Sequence, residues 1–244
     1  MAPQLMIYET AVPLSHSRHR NWFLQVGTDF AFCRNVNSVP LVITEFAYAA
    51  LEYAIVFGGT GDVATPVAVL GMRTNENLYV RSDGGWRASY IPAFVRRYPF
   101  VFSSQEDGKS FTLCIDEAFP GFNEAGRGER LFSDEGKPAP YVDGVLKFLQ
   151  QFQLEFQRTR EFCKKLKDYN LLEPMQAQVD LGSGERIALR GFSVVDRARL
   201  KTLPAAALSG LLQSDELELI YAHLVSMRNF AAVRNHIAGN ALRA

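Results

Sequence analysis

Past Pro140, apolar side chains recur every three or four positions: Val142, Val145, Leu146, Leu149, Phe152, Phe156, Phe162, Cys163 and Leu166. That period predicts a long amphipathic helix at about 141–168, with Lys and Arg gathered near its end to complement the dipole, and Asn170 and Pro174 to stop it. A second stripe through Leu217, Ile220, Tyr221, Leu224, Met227 and Ala231 predicts a last helix from Ser214 to Ile237. Asp196 caps a shorter helix through Leu203, and Pro204 opens another. The front of the chain reads differently. Leu5–Glu9 and Phe23–Val26 have the pattern of short strands, and Leu41 to Tyr53 that of a helix starting near Pro40. Ala54–Phe57 with Pro66–Met72, and Tyr98–Phe102 with Ser110–Ile115, read as hairpins turning at Gly61-Asp62 and at Gln105–Gly108. Leu78–Arg81 reads as one more strand. Ala177–Leu181 and Arg186–Val195 form a further hairpin across Gly182-Ser183-Gly184.

The fold class is therefore α+β: a strand-rich N-terminal half with hairpins and a helix-rich C-terminal half. The chain reads as a single domain, 1–244, divisible into a strand-rich part, 1–116, and a helix-rich part, 141–244, joined by the Gly-, Pro- and acid-rich loop 117–140. There is also an internal echo. Tyr53-x-Ile-Val-Phe57 resembles Tyr98-x-Phe-Val-Phe102, and V-P-L at 39–41 resembles I-P-A at 91–93.

Composition narrows the function classes. Of the 244 residues, 48% are hydrophobic and 21% charged, as expected of a globular protein rather than a disordered one. Net charge is zero at pH 7, which removes nucleic acid as a general partner. No apolar run has the length of a membrane span. Met1–Thr10 lacks the pattern of a cleavable signal, so the expected location is cytoplasmic, with the cell surface reached only by signal-less export. Cys33, Cys114 and Cys163 are too scattered for a zinc ribbon or a disulfide framework.

Few motifs carry chemistry. His16-x-x-His19 offers two metal ligands without an acidic third, and H-E-x-x-H is absent. No G-x-S-x-G elbow occurs, Cys114 and Cys163 lie in apolar patterns, and Gly58-Gly59-x-Gly61 precedes a strand rather than a helix. Asp116-Glu117 follows a strand, where carboxylates more often cap a turn. His223 falls in an apolar stripe and reads as a core or interface residue, whereas His236 sits near a helix C-terminus. No catalytic residue and no cofactor emerge. What remains is a basic-aromatic set, Arg73, Trp86, Arg87, Tyr90, Arg96, Arg97 and Tyr98. If they converge, they form a pocket for an anionic small molecule or an acidic peptide segment of a protein partner, since guanidinium groups grip carboxylates and stack on rings. The competing reading pairs the arginines with surface acids and puts the aromatics in the core.

Several segments resemble one family in order along the chain. They are V-N-S-V-P-L (36–41), N-E-N-L-Y-V (75–80), Y-I-P-A-F-V-R-R-Y-P-F (90–100), T-L-C-I-D-E (112–117), L-L-E-P-M-Q-A (171–177), G-F-S-V-V-D (191–196) and L-I-Y-A-H-L (219–224). Over about residues 10–230 the chain is similar to the bacterial SapC-like, surface-layer-associated family, and not to the membrane permease that shares the name. The resemblance implies a component or assembly factor of a surface layer, in the company of TonB-dependent receptors, halogenase-like flavoproteins and cupin-type oxygenases. It supplies no catalytic set. Three functions follow as expectations: a non-catalytic binding or accessory protein of the envelope or uptake system, a structural surface-layer subunit that assembles as a homo-oligomer, or a small-molecule enzyme, iron-dependent through histidines, with a dispersed site.

Overall fold

A computed structural model describes residues 6–59, 64–104, 110–180 and 186–241. In chain order the elements are β1 (Ala11–Pro13), α1 (His16–His19), β2 (Phe23–Leu24), β3 (Ser38–Pro40), α2 (Phe46–Ala49), β4 (Ile55–Gly58) and β5 (Thr65–Val69). There follow α3 (Ala93–Arg96), β6 (Phe100–Ser104), β7 (Phe111–Asp116), β8 (Phe122–Asn123), β9 (Glu129–Arg130) and α4 (Pro140–Asp168). The chain closes with β10 (Leu172–Asp180), β11 (Arg186–Val195), α5 (Arg197–Lys201), α6 (Ala205–Gln213), α7 (Glu216–Ser226) and α8 (Phe230–Ala241). The fold is α+β. The three predicted hairpin turns, at Gly61-Asp62, Gln105–Gly108 and Gly182–Gly184, lie outside the described residues.

Three antiparallel sheets are present among the described residues, ordered β10-β11-β4-β5-β3, β1-β7-β6 and β8-β2-β9. The echo noted in the sequence has a counterpart here. A one-turn helix precedes each of β4 and β6, each strand pairs with the next, and a third strand borders the return strand, β3 on β5 and β1 on β7. Tyr53 and Tyr98 each stand two residues ahead of their strand. The segment predicted as a loop, 117–140, contributes β8 and β9, which flank β2.

Helix α4 runs 29 residues, with Pro140 at its first turn and Lys165 and Lys167 in its last. Its buried face, including Leu149, Phe152, Phe162 and Leu166, meets the front of the chain, because the largest apolar cluster joins Ile7, Phe46, Tyr53, Phe94 and Phe162 to Ile220. Among the described residues no helix is long and apolar enough to cross a membrane.

Four predicted elements differ, and in two of them backbone donors are claimed by distant groups. Of the predicted strand Leu5–Glu9, the described part, residues 6–9, is not a strand: the amides of Glu9 and Thr10 donate to the Asp116 carboxylate at 2.8 and 2.9 Å instead of to a ladder. The helix from Pro40 shrinks to a 3-10 turn (Ile43–Glu45) and α2, because Leu41 N–H donates to Pro66, Val42 N–H to Glu45 and Ile43 N–H to Thr159 of α4. Leu78–Arg81 makes only one bridge, Val80 to Trp86, since the Arg81–Gly85 turn reverses it at once. The last helix is broken by a 3-10 turn at Met227–Asn229, where the Asn229 amide donates to the carbonyls of Ala50 and Tyr53 at 2.8 and 2.9 Å.

Candidate functional site

The segment from Ser89 to Ala93 has its backbone fixed by two carboxylates. Glu52 accepts from the amides of Ser89 and Tyr90, at 2.8 and 3.1 Å for the shortest contacts. Glu45 accepts from Ala93 N–H at 2.7 Å, from the Tyr90 hydroxyl at 2.8 Å and from Val42 N–H at 2.8 Å. Glu45 is 3% exposed, and burial pushes its carboxyl up, against the pull of those bonds and of the Arg96 charge. Tyr53 adds a third tie: its hydroxyl donates to the Tyr90 carbonyl while accepting from the Trp86 indole at 2.7 Å. A chain stretch held by this many charged and backbone bonds is a rigid platform.

That platform launches α3, whose last turn gives its two arginines opposite fates. Arg97 is 4% exposed, with its guanidinium carbon 4.1 Å from the Phe94 ring, 5.2 Å from Phe152 and 5.7 Å from Tyr8. Burial lowers its pKa, and attraction to Tyr8 opposes that. Arg96 is exposed. Its Nε–H donates to the Ile91 carbonyl at 2.9 Å, and its guanidinium lies 5.4 Å from the Phe148 ring and 5.8 Å from Tyr90. Among the described residues it makes no ion pair, although the Glu45 carboxylate feels its charge. One N–H donor is committed to backbone and the guanidinium also acts on the Tyr90 hydroxyl, which leaves donors of the five for an incoming carboxylate.

Arg96 stands where three adjoining hollows meet, of about 200, 370 and 290 Å³. The first lies between the chain at Val26–Phe32 and that at Ile91–Pro99. The second is bounded by Arg96 to Tyr98 on one side and by Tyr141, Gly144, Val145 and Phe148 of α4 on the other. The third runs from Glu45, Tyr48 and Tyr90 to Phe148, Phe152 and Glu155. Tyr98 and Tyr141 wall both the first and second, and Phe148 both the second and third. The result is a trough along one face of α4 with a cation at its middle.

The sequence model of the SapC family matches residues 14–233. The chain belongs to the SapC family. No curated protein and no solved structure matches it. Every residue of the trough falls inside the matched segment, whereas β1 falls just before it.

Of the basic-aromatic set in this SapC-family chain, Tyr90, Arg96, Arg97 and Tyr98 come together at the trough. Tyr98 stacks on Phe32 at 4.0 Å, and its hydroxyl donates to Asp116 at 3.2 Å. Trp86 is buried and serves Tyr53. Arg73 lines none of the three hollows and pairs with Glu76 at 3.0 Å. Arg87 lies near His236 of α8, whose pKa falls by burial and by that arginine's charge. The His16-x-x-His19 pair diverges: His16 sits edge-on to Phe132, while buried His19 bonds Glu117 at 2.8 Å. Among the described residues no group of three or more His, Cys, Asp or Glu side chains converges. Cys33 and Cys163 are buried, and burial pushes both thiols up to about 12.

Several trough residues escaped the sequence reading, among them Glu45, Tyr48, Tyr141, Gly144, Phe148 and Glu155. Gly144 carried a usable signal, because a glycine inside an amphipathic helix costs about 0.5–1 kcal/mol against alanine. Nothing on the protein requires it, for a Cβ built there meets no atom within 4 Å. Gly144→Ala is accordingly expected to raise the melting temperature by about 1–4 °C, read by differential scanning calorimetry.

Proposed function

We propose that this SapC-family protein is a non-catalytic binding protein of the bacterial envelope or its uptake systems, and that it takes a carboxylate-bearing ligand on the Arg96 trough. The carrying observation is an exposed guanidinium, without an acidic partner among the described residues, set over two aromatic rings where three hollows meet. A bidentate grip on a carboxylate in such a setting outweighs a simple point charge, and ring faces on either side exclude water from it. Family membership supports the envelope connection.

The test is titration with N-acetylphenylalanine, followed by amide chemical shifts. Perturbations are expected at Tyr90, Arg96, Tyr98 and Gly144. Arg96→Ala should weaken them at least tenfold, about 1.4 kcal/mol. Arg96→Lys should recover only part, because lysine keeps the charge without the fork. Shifts confined to other surfaces, or unchanged in Arg96→Ala, would sink the proposal.

A further inference from the structure

We infer that the ligand of this trough is an extended polypeptide segment, carrying one carboxylate between two large apolar side chains. The inference rests on the carboxylate-binding reading above and adds the class of ligand.

The first argument is the division of space. A compact small-molecule site is one concavity of about 300–1,000 Å³ that encloses most of its ligand. Here only the middle depression, at about 370 Å³, reaches that size, and it is continued on either side by hollows of about 200 and 290 Å³, with Tyr98, Tyr141 and Phe148 shared between neighbours. From Tyr141 to Glu155 the wall follows α4 for about 21 Å at 1.5 Å per residue. Six or seven extended residues cover that length, with alternate side chains on one face. A row of separate depressions takes successive side-chain anchors, as in peptide grooves.

Charge placement fixes the order of those anchors. The central cation is Arg96. The acids along the trough are already engaged: Asp29 of the first hollow by Ala31 N–H at 2.8 Å, Glu45 by Val42, Ala93 and Tyr90, and Glu155 by Gln151 at 2.8 Å and Arg158 at 3.1 Å. The trough therefore calls for one negative charge in the middle and apolar groups beside it.

Gly144 is the independent observation. It borders the second hollow, its side-chain direction is open, and no left-handed backbone angle demands glycine there. The helix gives up stability at a site where the missing side chain keeps that hollow clear. The open direction lets a bound chain approach the backbone of α4 at this point.

The probe is the blocked peptide acetyl-Phe-Ser-Glu-Ser-Phe-amide, titrated by calorimetry or fluorescence against the full chain. It is expected to bind at least tenfold more tightly than N-acetylphenylalanine. Replacing its Glu by Gln, or Arg96 by Ala, should each cost at least tenfold, and the two together little more than either alone. Gly144→Leu should abolish binding while raising the melting temperature, and Gly144→Ala should raise the melting temperature with a smaller loss of affinity. If the peptide binds no better than the single amino acid, the carboxylate site stands and the polypeptide inference is overturned. Binding of neither probe removes both. Full affinity in Gly144→Leu or in Gly144→Ala, whichever of them folds, also overturns the inference.

Discussion

Acidification from neutrality to pH 4 is expected to weaken the fold by about 3 kcal/mol through His223 alone. This side chain has no exposure and lies on α7. Its Nε2 accepts from Val195 N–H at 3.0 Å, and its Nδ1 stands 2.8 Å from the Ile55 carbonyl, which fixes a neutral ring with the proton on Nδ1. One imidazole thus ties α7 to both β4 and β11. Burial lowers its pKa from 6.5 to about 4, opposed by the bond to Ile55. Since the folded value lies below the unfolded one, the unfolded chain takes up the proton first. Stability is complete above about pH 6.5 and is lost as the pH falls toward 4. Urea midpoints at half-unit steps would show it. His223→Gln should be weaker at pH 7.5 but flatter across the window than the wild type, with carboxylate titration common to both. Parallel curves would contradict the assignment.

Asp116→Ala should cost about 3–5 kcal/mol, lowering the melting temperature by roughly 10 °C. Its carboxylate is wholly buried and accepts from the amides of Glu9, Thr10 and Ala118 and from the Tyr98 hydroxyl, at 2.8 to 3.2 Å. Truncation leaves those part-buried donors without their acceptor, at up to about 1–3 kcal/mol for each that water does not reach. Because Tyr98 walls two of the hollows, the same change should loosen the trough. Asp116→Asn keeps one acceptor oxygen and should lose about half as much. Thermal melts of the two variants decide it: equal losses would show that negative charge, rather than acceptor geometry, holds the site.

What the sequence disclosed depended on the range of the forces involved. Helix α4 was legible because its apolar stripe is a local, periodic signal repeated over eight turns. The hairpins were legible for the same reason. The segments 6–10 and 41–45 were not, since their amides answer to groups such as Asp116 and Thr159, which lie more than a hundred positions away. The candidate site divides along the same line. Tyr90, Arg96, Arg97 and Tyr98 were visible as one dense run, but a run cannot reveal that Arg97 turns inward while Arg96 stays out. Arg73 and Arg87 were grouped with them by composition, but Arg73 pairs with its neighbour Glu76 and Arg87 lies near His236 of α8. Phe148 went unmarked because periodicity reports the apolar face of a helix, not what faces it.

Strand β1 has a consequence for how the protein can be cut. The stretch shared with the family begins at residue 14, one position after β1 ends. A chain begun there keeps every shared residue yet leaves β7 with a bare outer margin of unanswered amides and carbonyls, and empties the mouth of Asp116. Such a margin is a template for strand addition by a neighbouring molecule. Sequence kinship and self-sufficiency thus part company at the N-terminus: the shortest recognisable version of this protein is a sticky one.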